Sequence, residues 1–443
     1  MAHRWSRSHA RDISILFVGD LIVFAGSLWL ALVARHFVAP NAYQFFEHLI
    51  PFSILFGLGL VVFMVFGLYD RTIAFFEHKL PNAVLEAQLM NAAIAVVFFF
   101  VAPIAIQPKT VLALYFVIST ALIVVWRLGV FRLLDNARER TPAVVIGTGS
   151  DIDALVEAME HVSHSTLQCV ARVDSATPEV QRAIRRALET TRATTVILDP
   201  RAHALRTELP TNVECIAADE LYEALLSRVP LSMTSGAALA ALAETRESRV
   251  YGALKRGLDI VVSVVCGVPS LILYPFIFCA LKLQDGGVLF YQNVRVGRNG
   301  AHITVLKFRS MSGTDSGAEA LKSKLVVTPF GRIMRKTRID ELPQLWNVLR
   351  GDLSLIGPRP ELPALVDAYT KALPLYELRH TVTPGLSGWA QVYHEGHPHH
   401  GTNVDATAEK LAYDLYYVKH RSFVLDLMIG LKTVRTLLSL GGR

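Results

Sequence analysis

An adjacent carboxylate pair, Asp340-Glu341, lies in a cation-dense stretch of the 443-residue chain. Arg295, Lys307, Arg309, Arg335, Lys336, Arg338 and Arg359 gather around it in sequence. Arginine forks match phosphate oxygens two at a time. A cation-rich pocket holding one carboxylate suits phosphoryl transfer, where positioning and charge neutralisation supply most of the catalysis. The same cations would also suit a basic surface beside anionic lipid. Their interleaving with Gly and Pro argues instead for shaped loops. In "GPRP", Arg359 stands between two prolines, a stiff mount for a cation that must hold position.

On residue types alone the pair has a second reading. Leu342, Leu345, Trp346 and Leu349 recur at helical spacing, so a helix is expected to start near Asp340 with Pro343 in its first turn. Asp340 would then be an N-cap. Capping and catalysis are compatible, because helix N-termini also hold phosphate. The run "HEGHPHH" (His394–His400) has metal-ligand types, but Gly and Pro break the i,i+4 spacing, and an exposed polar loop is the plainer reading. Cys169, Cys215, Cys266 and Cys279 are scattered without CxxC spacing. They give neither a zinc site nor a disulfide framework and fit a reducing compartment.

The elements that must carry these residues begin in a membrane. Hydrophobic residues make up 52% of the chain and charged residues 19%, which argues against a single soluble globule. The net charge of +6 is read as affinity for phosphate and lipid, with no nucleic acid expected. Apolar stretches at Ile13–Ala34, Phe45–Leu68, Val84–Ile106 and Val111–Leu133 are each long enough to span, since about 20 helical residues cross the hydrocarbon core. The first is too long for a cleavable signal peptide. Arg4, Arg7 and Arg11 before the set and Arg127, Arg132, Arg138 and Arg140 at its end place both ends in the cytoplasm. Asp20 and Glu86 within the spans are read as bundle-facing or interfacial groups.

From Thr141 the pattern turns to βαβ. Strand-like runs at Ala143–Ile146, Cys169–Val173, Thr195–Leu198 and Val213–Ala217 alternate with helical stretches at Asp151–His164 and Pro178–Thr190, so a small Rossmann-like parallel sheet is expected. "GTGSD" has part of a dinucleotide turn, with Asp174 near the ribose-binding distance. Ile152 stands where the third glycine belongs, so a folded spacer or regulatory domain is preferred. Ser232–Ser248 reads as a linker. A fifth apolar stretch, Leu258–Leu283, holds Pro269 and Pro275, with Lys255, Arg256 and Asp259 at its mouth. One reading is a fifth full span, which would put the basic C-terminal block outside, against the charge bias. A bent helix entering and leaving one leaflet keeps it in the cytoplasm and is preferred. Phe423–Leu440 is amphipathic and reads as a core helix or an interfacial one, with the membrane beside the site preferred.

The C-terminal block resembles the bacterial polyprenyl-phosphate sugar-1-phosphate transferases, the monotopic phosphoglycosyl transferase superfamily. The matching words are "KRGLD" (Lys255–Asp259), "KFRSM" (Lys307–Met311), "DELPQLWNVLRGDLSLIGPRP" (Asp340–Pro360), "PGLSGWAQV" (Pro384–Val392) and "YDLYYV" (Tyr413–Val418), in that order. The spans and small sheet resemble the large, hexose-transferring branch. The resemblance implies a ping-pong reaction with Mg²⁺. Asp340 would attack the β-phosphate of a UDP-hexose, release UMP, and pass the hexose phosphate to undecaprenyl (polyprenyl) phosphate. It implies that Glu341 acts as a base or orients Asp340, that Asp340 also meets Mg²⁺, and that Lys307, Arg309, Arg335, Arg359, Arg295 and Asp414 serve substrate or phosphate. Thr383 and Tyr393-His394 depart from the family pattern at positions bearing on sugar or nucleotide specificity.

The expected architecture is therefore a membrane protein of α plus α/β class. A four-span bundle (1–138) leads to a Rossmann-like domain (139–231), a linker (232–250) and a catalytic domain (251–443) with its re-entrant helix at 255–283. The expected place is the bacterial inner membrane with the catalytic domain on the cytoplasmic face. The expected role is the first membrane step of exopolysaccharide, capsule or O-antigen synthesis. The alternative is a non-catalytic scaffold or ligand-sensing module of a polysaccharide-export assembly. The hexose and the oligomeric state, a homo-oligomer included, are left open.

Overall fold

The computed structural model describes residues 2–66, 68–69, 80–101, 109–136, 140–161, 167–176, 179–210, 213–234, 248–313, 326–393 and 403–438. Four helices open the chain: α1 (Ala2–His36), α2 (Ala42–Val65), α3 (Leu80–Val101) and α4 (Lys109–Asn136). Each is long and apolar enough to cross a membrane. Asn41 starts α2 with a capping box, its side chain accepting from Gln44 N while the Gln44 side chain accepts from Asn41 N. The bundle core is aromatic, with Phe24, Phe52 and Phe56 packed around Tyr115 and Phe63 against Phe24. Its polar centre joins α1 to α4. Asp20 is ion-paired with Arg127 and accepts from the Tyr69 hydroxyl at 2.7 Å. That carboxylate faces the bundle, and the pairing makes its burial tolerable.

The middle of the chain folds as a four-stranded parallel sheet. Its strands are β1 (Thr141–Ile146), β2 (Leu167–Val173), β3 (Thr195–Leu198) and β4 (Glu214–Ala217), in spatial order β2-β1-β3-β4. The strand cores are apolar because both faces are covered. Helices α5 (Ser150–His161) and α7 (Ala218–Leu226) bury one face, and α6 (Val180–Thr191) buries the other. The "GTGSD" turn is closed by its own chain, since Arg201 donates to the Thr148 carbonyl at 2.8 Å while paired with Asp199 at 2.6 Å. Asp174 accepts from Ala176 N at 2.8 Å, which makes it a turn residue.

Helix α8 (Arg249–Ser270) and helix α9 (Leu273–Asp285) meet at a 55° bend. The break lies between the two prolines. Pro275 has no N–H for the Leu271 carbonyl, which instead accepts from Tyr274 N at 3.1 Å. Leu271 N and Ile272 N likewise make tighter i→i−3 bonds, to Val268 and Pro269 carbonyls. The buried face of α8 is Asp259, Ser263, Gly267 and Ser270, while Val261, Val265, Val268 and Ile272 on and after it are exposed.

The C-terminal elements are short and held by loops. A hairpin of β5 (Phe290–Val296) and β6 (His302–Phe308) pairs Tyr291 with Lys307. Strands β7 (Met311–Ser312) and β8 (Val326–Val327) follow, then α10 (Pro329–Lys336), a 3₁₀ turn (Ile339–Glu341) and α11 (Gln344–Arg350). Strand β9 (Ser354–Ile356) pairs in parallel with β10 (Gly385–Ser387). Between them come α12 (Pro363–Ala372) and a 3₁₀ stretch (Tyr376–Thr381); α13 (Trp389–Tyr393), α14 (Val404–His420) and α15 (Phe423–Leu438) complete the chain. The glycines of "PGLSG" permit close approach of two backbones, for a Cβ on Gly385 would lie 2.1 Å from Gly357 N. This contact clamps the "GPRP" loop beside β10.

Candidate active site

The chain enters the site through Arg338, whose φ of 56° turns it sharply after α10. The 3₁₀ turn that follows carries Asp340 inward, leaving it 7% exposed. Helix α11 begins only at Gln344, with Pro343 as its N-cap residue and no side-chain capping bond. The expectation that Asp340 caps a helix is thus corrected. The α-helical start lies past Asp340, and the carboxylate serves no backbone N–H. Its Oδ1 is buried without a hydrogen-bond partner. Burial first, and then the charge of Glu341, push its pKa up to about 6, although Lys307, Arg335 and Arg338 pull the other way.

Glu341 is held quite differently. Its Oε1 accepts from Lys307 Nζ and from Arg359 Nη2, each at 2.8 Å. Burial would raise its pKa, but these two cations outweigh burial and hold the carboxyl well below the usual range. Two neighbouring carboxylates therefore have opposite environments, one ionised firmly and one near the edge of ionisation at neutral pH. Burial lowers the Lys307 ammonium, with Glu341 opposing it.

The mounts of these cations follow from the fold. Lys307 projects from β6, next to the end of the hairpin. Arg359 is set by its proline neighbours, and its carbonyl accepts from Arg379 Nη2 at 2.9 Å. Arg295, on β5, reaches the Pro360 carbonyl at 3.4 Å and is lowered by burial, Glu361 opposing. Arg335 is exposed on the last turn of α10 and faces the Asp340 charge. Arg309 lies just past β6 and packs on Gly287, where a Cβ would come within 2.0 Å of its guanidinium.

Asp414 was expected among the substrate contacts. It is 1% exposed and bonded to Arg379 Nε at 3.0 Å and Nη2 at 2.7 Å. It therefore supports Arg359 from behind, through Arg379. Sequence reasoning missed Arg379, Glu361 and Asn347. Arg379 stands in no motif of alternating Gly and Pro, and only the tertiary fold pairs it with Asp414. Asn347 of α11 donates to the Thr304 carbonyl at 2.7 Å and accepts from Leu306 N at 3.0 Å, fixing α11 to β6.

The residues "KRGLD" anchor the bent helix to this site. Arg256 donates to the Val348 and Leu349 carbonyls at 2.6 Å each, at the C-terminal end of α11. Asp259 accepts from Leu355 N at 3.0 Å, and Lys255 pairs with Asp426 of α15 at 3.0 Å. His394–His400 lie outside the described residues. Among the described residues no group of three or more His, Cys, Asp or Glu could hold a metal ion. A single buried carboxylate oxygen without a partner fits an ion that brings substrate oxygens with it, as Mg²⁺ does.

Comparison with known proteins covers this part of the chain. The family described as bacterial sugar transferase matches residues 250–440. An Aeromonas hydrophila UDP-N-acetylgalactosamine-undecaprenyl-phosphate N-acetylgalactosaminephosphotransferase is 43% identical over 199 residues, 43% of this chain and 45% of that protein. The uncharacterized sugar transferase EpsL of Bacillus subtilis is 39% identical over 186 residues, 42% of this chain and 87% of that protein. A Caulobacter vibrioides UDP-glucose:undecaprenyl-phosphate glucose-1-phosphate transferase is 39% identical over 188 residues, 42% of this chain and 70% of that protein. The chain belongs to the bacterial sugar transferase family. The matched portion is less than half of the Aeromonas protein, and the bundle and parallel sheet lie outside the family match.

Proposed function

We propose that the protein transfers a hexose 1-phosphate from a UDP-hexose to polyprenyl phosphate, releasing UMP, in two steps through Asp340. The observation that carries this reading is the buried Asp340 carboxylate. One oxygen is unpartnered, its pKa is near 6, and cations flank it. In the first step an Asp340 oxygen attacks the β-phosphorus. A new P–O bond forms, the bond from that phosphorus to the α,β-bridging oxygen breaks, and UMP leaves with the electron pair. In the second step the terminal oxygen of polyprenyl phosphate attacks the same phosphorus. The Asp340–phosphorus bond breaks, the carboxylate is restored, and polyprenyl-diphospho-hexose departs. Splitting one transfer in two is the use of a carboxylate nucleophile.

The chain's residues then have separate tasks. Glu341, saturated by Lys307 and Arg359, fixes those cations and orients the turn; its low pKa suits it poorly as a base. Arg295, Arg335 and Arg359 neutralise phosphoryl oxygens as charge spreads over them. Arg309, beside the hairpin, is assigned to the nucleotide phosphate. Mg²⁺, held by Asp340 and the diphosphate oxygens, would supply charge neutralisation on the leaving UMP. The exposed apolar side of the bent α8–α9 pair is assigned to lipid, entering and leaving the cytoplasmic leaflet of the inner membrane. That topology brings the lipid phosphate to the level of Asp340. The proposed role is the first membrane step of exopolysaccharide, capsule or O-antigen synthesis.

The test is UMP release from UDP-glucose, UDP-galactose and their N-acetylated analogues by the full chain in membranes, with Mg²⁺ and undecaprenyl phosphate. The proposal expects release with one or more donors and, without acceptor, a hexose-phosphate adduct on Asp340 in intact-mass spectra. Unimpaired release by Asp340→Asn would end the nucleophile assignment.

A further inference from the structure

We infer that the side-chain amide of Gln344 is a further substrate-contacting group, donating a hydrogen bond to a non-bridging oxygen of the phosphoryl group as it passes to and from Asp340. The inference rests on the proposed phosphoryl transfer and adds a residue to it. The backbone runs right-handed and helical from Ile339 through Leu342 (φ −53°, ψ −38°) and Pro343 (φ −61°, ψ −20°) into α11. Asp340 and Gln344 are four residues apart along this path, little more than one turn.

Both are buried, Gln344 at 5% exposure, and both have a polar atom without a partner: Oδ1 of Asp340 and Nε2 of Gln344. The carboxylate and the amide do not bond to each other here. The other buried amide of α11 sharpens the contrast, because Asn347 is bonded to Thr304, Leu306 and Asp352. Helix α11 is fixed along its length. Leu345 packs on Gly267 of the bent helix, and Arg256 holds the last carbonyls. The Gln344 amide is therefore kept dry and unsatisfied on a rigid mount, which buried polar groups avoid unless something else completes them. A phosphoryl group meets both needs at once, offering its phosphorus to the carboxylate and anionic oxygen to the amide. An uncharged donor suits this position, since its hydrogen bond strengthens as charge builds on that oxygen during transfer and adds no cation to bind substrate too tightly.

The test compares full-chain wild type with Gln344→Ala and Gln344→Glu in lipid nanodiscs, using the UDP-hexose that the wild type turns over. Gln344→Ala is expected to lower kcat for UMP release about 10- to 100-fold, with KM within about 3-fold. Its melting temperature is expected to equal or exceed that of wild type, because the substitution deletes an unsatisfied buried group. Gln344→Glu, which repels phosphate, is expected to lose more activity than the alanine variant. Activity of Gln344→Ala within about 2-fold of wild type would overturn the inference. So would an equal loss accompanied by a lower melting temperature, which marks a packing role. If the wild type releases no UMP from any donor, the transfer reading itself fails and the inference with it, a result separate from failure of the variants.

Discussion

At Asp340, the proposed nucleophile, two demands conflict, because such a group must be ionised while burial penalises its charge. The pKa near 6 is the compromise. Rate is therefore expected to fall as pH drops through about 6, with the carboxyl protonated below it. Stability runs the opposite way. The unfolded carboxyl ionises near 3.8 and the native one near 6, so between these values the native state binds more protons and stability falls as pH rises. In Mg²⁺-free protein at neutral pH, Asp340→Asn should gain on the order of 1–3 kcal/mol in denaturant unfolding while losing UMP release. A destabilised and inactive Asp340→Asn would contradict this picture of a strained nucleophile. Glu341→Gln should do the reverse. It leaves Lys307 and Arg359 without their shared carboxylate, and breaking such a partly buried pair costs roughly 2–4 kcal/mol. It also removes a negative neighbour from Asp340, so any residual activity should have its acid limb displaced to lower pH. A displacement to higher pH would show that the Glu341 charge does not act on Asp340.

At the scale of elements, much of the architecture was legible because its signals are periodic. The long apolar stretches became α1–α4, and the alternating runs became β1–β4 within a residue or two at most ends. The fifth stretch was legible as bent, since two prolines six residues apart cannot both sit in an unbroken ladder. The site was legible as a cluster of residue types, but not as a set of pairings. Whether Asp340 caps or lies free depends on where α11 starts. Whether Asp414 faces substrate depends on Arg379, which is brought to it from 35 residues away by the fold. The unsatisfied amide of Gln344 has no sequence signal, as an orphan is defined only by what surrounds it. The anchor of the bent helix is testable at this scale. Arg256→Ala removes both hydrogen bonds to the end of α11 and should cost about 1–3 kcal/mol. The bond partners lie in α11, so hydrogen exchange should quicken at Val348–Gly351 before it does in β5 and β6. Uniform quickening would mean that the helix is held by apolar packing instead.

At the scale of the whole molecule, the three parts meet around α14 and α15. Arg435 of α15 donates to the Phe66 carbonyl at 3.1 Å and to Glu86 of α3 at 3.2 Å, tying the catalytic part to the bundle. This gives Glu86 an interfacial place. The parallel-sheet part is tied more tightly. Glu223 of α7, 5% exposed, accepts from Lys419 at 2.8 Å and bonds His420 at 2.8 Å. Arg228 pairs with Glu409, and Val229 N donates to the Ala412 carbonyl at 3.0 Å. Trp389, in the "GWAQ" sequence, donates its indole N–H to the Ser227 carbonyl at 2.8 Å. The segment that ends α7 thus supports the helix that follows β10, and β10 backs the Arg359 loop through Gly385 and Gly357. A disturbance in the middle domain therefore has a contiguous physical route to the site, and the energetic claim is open to direct measurement. Glu223→Ala should leave Lys419 and His420 without their carboxylate and destabilise the docked state by about 2–3 kcal/mol. Hydrogen exchange should rise in α7 and at the end of α14 together, because the Glu223 contacts join the two. If the middle domain only decorates the chain, exchange will rise there while kcat for UMP release stays within about 2-fold of wild type. If it positions Trp389 and the loop behind it, kcat will fall with little change in KM for the donor. The shared Trp389–Ser227 bond favours the second outcome, and Trp389→Phe, which keeps an aromatic side chain but removes the indole N–H together with part of the ring, should reproduce it.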